Sequence, residues 1–373
     1  MSAFPDEPQH FVRWLVDKRI FEENDAAASF ASRRDYGSYL GDVLCSQRSK
    51  SAAELTIIQD TAREVDPANG LTVVTSTGTR HRADRVVLSA GNLRPCCPTS
   101  LEKFSGHPRF VQSPWELDAL AGVQEMDSIF IVGTGLTMVD VVLLLRSRRH
   151  RGRITARSRR GFLPTAHKKG TPALFALKPE PNEVFDSIIK LLRESGEDWR
   201  STFDGIRPHT VALWQSLSWK DRDRFVKRLR PFWDVFRHRM PESAAEEIQV
   251  AQESGQLDAG CGRITGVQAI GDGFEVQMSG GGQTISADWV LNCTGPTMNV
   301  KSEKIPILES IVNAGLADYD PLGLGLMVDD AGRTDDSGQV WAIGPLCRGC
   351  RWETSAIPEI RVQAHRIATE ISN

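Results

Sequence analysis

The sequence predicts an α/β fold with two Rossmann-type units and a helical insert. Two observations carry that prediction. "SIFIVGTGLTMVDVVLLLR", residues 128–146, is an apolar run, a glycine turn and a helix start. "ADRVVLSAG" at residues 83–91 and "ADWVLNCTG" at residues 287–295 echo each other, and each follows a strand–turn–strand segment. Buried strands alternating with helical stretches belong to parallel sheets covered by helices.

From the N-terminus, residues 5–18 read as a helix, with Phe11, Trp14, Leu15 and Lys18 at helical spacing. "ASRRDYGSYLGDVL" from Ala31 reads as a second helix packing Tyr36, Tyr39, Leu40 and Val43. The first meander follows over residues 70–91. The strand before Gly133 is continuously apolar, as in a parallel strand buried on both faces. Gly133 and Gly135 supply a tight turn and a close backbone approach, with Thr134 between them. The helix begins near Leu136 and Thr137, so its first N–H groups and its dipole face an anion. Met138 occupies the position where a third glycine lets helix and strand pack closely, which predicts a slightly wider gap. The turn suits a dinucleotide pyrophosphate; a tight β–α turn without a ligand is the alternative.

"RITARSRRGFLP" from Arg153 is the next strand and its end. About 20 residues after the glycines an acid would select NAD. Here stand Arg157, Ser158, Arg159 and Arg160, which suit a 2′-phosphate and therefore NADPH, or else form a solvated basic turn. Residues 172–256 read as a helical insert rich in tryptophan and arginine. Its "RFVKRLRPFWDVFRHRM" suggests a cap with a cationic lining, and Arg237, His238 and Arg239 are candidates for an anionic substrate or for ion pairs with Asp234 and its neighbours. At the end, "VWAIG" is a strand and residues 358–371 form a helix with Pro358 in its first turn and an apolar stripe of Ile360, Ala364, Ile367, Ala368 and Ile371.

At 373 residues, with 25% charged and 40% hydrophobic residues, the chain reads as a soluble protein of two or three domains. A net charge of −3 argues against a nucleic-acid partner. Asp6, Glu7, Arg13, Asp17 and Lys18 break any early apolar stretch, and the apolar stretch of residues 139–145, interrupted by Asp140, is too short to span a bilayer. Seven scattered cysteines fit a reducing cytoplasm. Cys347 and Cys350 form a C-x-x-C pair with no second pair beside it, so neither a metal site nor a redox role is expected. The expected partner is a small-molecule substrate; the oligomeric state is not legible.

Taken together, "MSAFPDEPQHFVRWL", "ASRRDYGSYL", "VLSAGN", "IVGTGLTMVD", "SRRGFLP", "LRPFWDVFRHRM", "LNCTGP" and "GPLCRGCRWETSAIPEIRVQA" resemble the two-dinucleotide flavoprotein group that includes FAD-dependent urate hydroxylase and nitrosuccinate-forming L-aspartate N-monooxygenase. The resemblance spans nearly the whole chain. It implies a two-dinucleotide-binding (FAD/NAD(P)) Rossmann-type flavoprotein with FAD and NADPH as cofactors. In that scheme Gly91 and Gly295 end strands where the backbone passes a cofactor. Arg33 or Arg34 reaches the flavin, and Pro345 follows Gly344 where related flavoproteins place an acid that binds the ribityl chain, which leaves that contact unassigned. Thr354, Ser355, Ala356 and Ile357 meet the flavin pyrimidine edge at a helix start.

Family members carry a first FAD-binding βαβ unit before the "MSAFP" segment. The chain is therefore expected to be an N-terminally truncated member lacking that unit. The expected division is residues 1–125 for the rest of the FAD domain and a linker, 126–295 for the NAD(P) domain with its insert, and 296–373 for a return to the FAD domain. Two functions stay open. One is a flavin monooxygenase in which NADPH reduces flavin, O₂ is activated and a small polar or anionic substrate is hydroxylated. The other is a remnant that binds NADPH at most, or acts through interactions. A disulfide reductase using Cys347 and Cys350 is a third, weaker idea.

Overall fold

The computed structural model describes residues 2–116, 118–168, 171–173, 183–279 and 284–372. In chain order, α1 (His10–Asp17), α2 (Glu23–Ala26) and α3 (Arg33–Lys50) precede β1 (Ala62–Asp66), β2 (Leu71–Thr75), β3 (Arg80–Ala83) and β4 (Val86–Leu88). Next come β5 (Phe110–Val111), β6 (Ile129–Val132), α4 (Leu136–Ser147) and β7 (Ile154–Ser158). The insert contains α5 (Val184–Glu194), α6 (Trp199–Ile206), α7 (Thr210–Ser216), α8 (Trp219–Arg224) and α9 (Arg230–Arg237), and α10 (Glu242–Glu253) follows it. The chain continues through β8 (Leu257–Cys261), β9 (Ile264–Ile270), β10 (Gly273–Met278), β11 (Thr284–Ala287) and β12 (Trp289–Asn292). It ends with α11 (Pro306–Asn313), β13 (Val340–Ala342) and α12 (Ile357–Ser372). The chain folds as two compact units: one of residues 1–92, 210–219 and 298–373, the other of residues 93–209 and 220–297.

The second unit is a Rossmann-type α/β assembly. Its five strands run in the order β5-β12-β6-β7-β8, all parallel. All four residues of β6 are buried, because helices cover one face and the meander covers the other. Ile129 and Ile131 face Met138, Val142 and Leu145 of α4 together with Ala244, Ile248 and Ala251 of α10. Phe130 and Val132 face Phe274 and Val276 of the antiparallel sheet β11-β10-β9. Strand periodicity of two thus places alternate residues into two apolar layers. Met138 is fully buried in the first layer. Helix α10 falls inside the span 172–256 read as the insert, yet it packs as the crossover before β8.

The first unit repeats the meander motif. β1, β2 and β3 form an antiparallel sheet, and β4 then pairs in parallel with β13. Each "AD-x-V" segment therefore ends a three-stranded meander and enters a parallel strand. β1 lies outside the 70–91 window because "AREVD" shows too little alternation to announce a strand. Helices α1 and α3 pack through Phe11, Leu15 and Tyr39. The fully buried Tyr39 hydroxyl lies 2.8 Å from His10 Nδ1 and accepts the Ala3 N–H at 3.1 Å. A Ser32–Asp35 capping box starts α3. Leu40, expected to pack inward, is 43% exposed. On α12, Ile360, Ile367 and Ile371 pack under Trp341 and Ile343, whereas Ala364 and Ala368 are exposed. Residues 210–219 of the insert belong to this unit: Trp214 Nε1 donates to the Gly349 carbonyl at 2.8 Å.

Candidate functional site

The two glycines of the turn have different reasons to be glycine. Gly133 has φ +113°, and a Cβ there would overlap the Cys293 carbonyl where β12 ends beside it. Packing alone explains Gly133. Gly135 has an ordinary φ of −85°, is exposed, and an added Cβ would meet nothing within 4 Å. It is the N-cap of α4 and makes no side-chain cap, so the first N–H groups, including those of Leu136 and Thr137, open onto this space.

Thr134 is buried, and its hydroxyl donates to the Phe162 carbonyl at 2.6 Å. Its only proton is thereby used, so the 2.8 Å contact with Ser158 has Ser158 as donor. Ser158 Oγ also accepts the Gly161 N–H at 3.0 Å. Thr134 and Ser158 therefore brace the two turns against each other.

Arg157 is turned inward. Its Nη2 lies 2.7 Å from Asp258 Oδ2, its Nη1 donates to the Asp258 carbonyl at 2.7 Å, and its side chain is 12% exposed. The hydrogen bond from Arg157 holds the Asp258 carboxyl below the usual carboxylate range. Arg159 and Arg160 are exposed and form no ion pair among the described residues. Beyond β12, Gly295 (φ +81°) borders open space. The adjoining segment is held by the fully buried Asn292, whose Nδ2 donates to the Cys96 carbonyl and whose Oδ1 accepts from Thr294 N and Oγ1.

In the first unit, Gly91 (φ +68°) ends the β4 segment with open space around it. Gly344 (φ +71°) is buried, its N–H donates to Gln363 Oε1 at 3.0 Å, and it starts a short 3₁₀ turn with Pro345. Thr354 is fully buried with no hydrogen-bond partner for its hydroxyl, two residues before Ala356 and three before Ile357 at the start of α12. Arg33 is exposed at the first turn of α3. In this unit α1, α2 and α3 all precede β1, and β13 runs through the Gly344 turn and its 3₁₀ helix before α12 begins at Ile357. The unpartnered buried hydroxyl of Thr354 is a polar atom that a bound group could satisfy.

In the insert, Arg239 lies against Asp204 through two hydrogen bonds of 2.6 and 3.0 Å, with its side chain 5% exposed. His238 is 3.6 Å from Asp234, and Arg237 closes α9. Arg200 is a half-buried guanidinium stacked on Trp199 at 4.3 Å, although nothing in "EDWRS" sets it apart from other surface arginines. Cys347 and Cys350 are both buried, and burial pushes the Cys347 thiol up to about 12, opposite to the activation a redox pair needs. Among the described residues no group of His, Cys, Asp and Glu could hold a metal, and no helix is long and apolar enough to cross a membrane.

A parallel sheet with an open glycine turn defines an α/β protein of Rossmann type. Comparison with known proteins agrees: residues 1–93 match the FAD-NAD(P)-binding family model. Similar solved structures include an ornithine N-hydroxylase from Kutzneria sp. 744 with reduced FAD, NADP⁺ and L-ornithine (TM-score 0.64, 17% identity, covering 97% of this chain and 82% of that one). Others are L-lysine 6-monooxygenase from Pseudomonas syringae (0.66, 20%, 99% and 83%) and the FAD-bound cadaverine monooxygenase of desferrioxamine biosynthesis from Erwinia amylovora (0.67, 15%, 99% and 80%). No curated protein matches the sequence.

Proposed function

We propose that this protein is an FAD- and NADPH-binding oxidoreductase of flavin monooxygenase type, acting on a small polar or anionic molecule. The observation that carries it is the open Gly135 turn of the second unit, which suits a nucleotide and lies outside the 1–93 segment that matches an FAD-NAD(P)-binding model. Two nucleotide sites in one chain are what hydride transfer from NADPH to flavin requires. When bound, FAD accepts that hydride and activates O₂.

This chain's own residues would bind and orient. The N–H groups at the start of α4, from Leu136 and Thr137, would hold the NADPH pyrophosphate, with Gly135 giving the backbone room to approach. Arg159 and Arg160, rather than Arg157, would meet the 2′-phosphate, since Arg157 is engaged with Asp258. Thr354 and the first turn of α12 would meet the flavin, as would Gly91, Gly344 and Pro345. The substrate class follows the resemblance to urate hydroxylase and aspartate N-monooxygenase and the arginine-rich insert. The amines in the names of the structural neighbours make N-hydroxylation the form of the reaction to test first.

The alternative reading is NADPH binding without turnover. Purified protein mixed with FAD separates the two. A retained flavin absorption band together with NADPH-dependent O₂ uptake supports the oxidoreductase. Colourless protein that binds NADP⁺ and consumes no O₂ supports the second reading.

A further inference from the structure

Around His167 the helical insert places Arg239, Arg200 and Arg207 with the carboxylate of Asp204. Arg239 occupies both oxygens of Asp204. Arg200 has no such partner: its Nε donates to the Ala166 carbonyl at 3.2 Å and its guanidinium lies 4.3 Å from the Trp199 ring, on which Arg239 also lies, at 5.4 Å. Its two Nη groups, the fork that grips a carboxylate bidentately, donate to nothing among the described residues. A half-buried guanidinium beside a second guanidinium is electrostatically unfavourable, and burial and Arg239 both pull the Arg200 pKa below its ordinary value.

A histidine joins the cluster. His167 N–H donates to the Met240 carbonyl at 2.7 Å, next to Arg239. Its imidazole is held below the usual histidine pKa by burial and then by Arg239, Arg200 and Arg207, with Asp204 opposing. The segment carrying it is anchored at both ends. Phe162 accepts from Thr134 of the glycine turn, Met240 N–H donates to the Thr165 carbonyl, and Arg200 holds Ala166. His167 is five steps along the chain from Phe162, so their α-carbons lie at most about 18 Å apart.

We propose that Arg200, with Arg239 and His167 beside it, forms a carboxylate-recognition subsite in the helical insert, on the segment that leads away from the Gly135 turn. The ligand is the carboxylate of a small acidic molecule. This deepens the functional reading by naming the substrate class, and it rests on that reading only for the subsite's role in turnover; the binding itself is tested apart from flavin and NADPH.

The probe is succinate, titrated into the purified full chain without added cofactor. Binding is followed by calorimetry and by the NMR titration of the histidines, with His167 assigned through H167Q. An anion placed among these cations stabilises the imidazolium, so saturating succinate raises the His167 midpoint. Arg200→Gln weakens succinate at least about tenfold, as expected for loss of a charge-assisted fork. Arg200→Lys, which keeps the charge without the fork, falls between. Asp204→Asn, which releases Arg239, strengthens binding, a result that a merely structural ion pair does not produce. Adenosine 2′,5′-bisphosphate, a probe of the nucleotide turn, binds wild type and Arg200→Gln alike. The proposal is overturned if succinate fails to bind the folded protein, if it leaves His167 unmoved, or if Arg200→Gln weakens the bisphosphate instead of succinate. Intact succinate binding without NADPH oxidation would reject the oxidoreductase reading and leave the subsite standing.

Discussion

Arg157 and Asp258 pair across neighbouring parallel strands at 2.7 Å, and this one contact redistributes the roles of the basic turn. Three arginines within four residues look interchangeable in the sequence. In the fold the first is part of the sheet's edge chemistry and the other two face solvent.

The substitutions should therefore separate. Arg159→Ala and Arg160→Ala should each raise the Kd for NADPH several-fold while leaving NADH binding little changed. Arg157→Ala should lower Tm and affect both nucleotides alike. Fluorescence titration with the two nucleotides, alongside thermal unfolding, would read both effects. An Arg157→Ala variant of wild-type stability with a selective NADPH defect would contradict the assignment.

The same pair gives a pH dependence. The folded pKa of Asp258 is lowered from its ordinary 3.8, so the unfolded chain takes up a proton there before the folded one does. The stabilisation is present above about pH 4 and is lost as pH falls through the folded value. The Tm difference between wild type and Asp258→Asn should be constant near neutrality and shrink below about pH 4. A gap that widens on acidification would reverse the sign and reject the argument.

Gly133 and Gly135 should respond oppositely to alanine. Gly133→Ala adds a Cβ against the Cys293 carbonyl at φ +113°, so the turn must move. A loss of about 2 kcal/mol or more in urea unfolding is expected. Gly135→Ala meets no protein atom, so stability should hold while NADP⁺ affinity falls. Equal stability losses would show that Gly135 serves packing as well.

Met138 fills the place of a third glycine and is buried against Ile129, Ile131 and α10. Met138→Ala should cost about 2–5 kcal/mol, the range for a deleted core side chain. Restoring glycine at this position should lower stability further rather than improve nucleotide binding, because helix propensity is lost as well.

Much of the architecture was legible because it depends on local pattern. The run "SIFIV" is apolar at every position, and that pattern needs burial on both faces. The "AD-x-V" echo marks two meanders because strand alternation and glycine turns are local signals. The helices at α1, α3, α4 and α12 followed from spacing and capping residues. Other features left no such trace. Nothing local distinguishes α10, a crossover helix packed on β6 and α4, from the insert helices before it. Nor does composition reveal that Thr210–Ser216 joins the first unit through Trp214 and Gly349.

The sequence by itself determined the class of fold, the location of the open glycine turn and the basic character of the strand end after it, since each rests on residue type and short spacing. Only the tertiary structure decided which arginine is engaged and which is available. Arg157 and Asp258 are 101 residues apart in the chain, and Arg200 and Arg239 meet partners 34 and 35 residues away. Charge pairing depends on distances of a few ångströms, and long-range packing alone sets those distances.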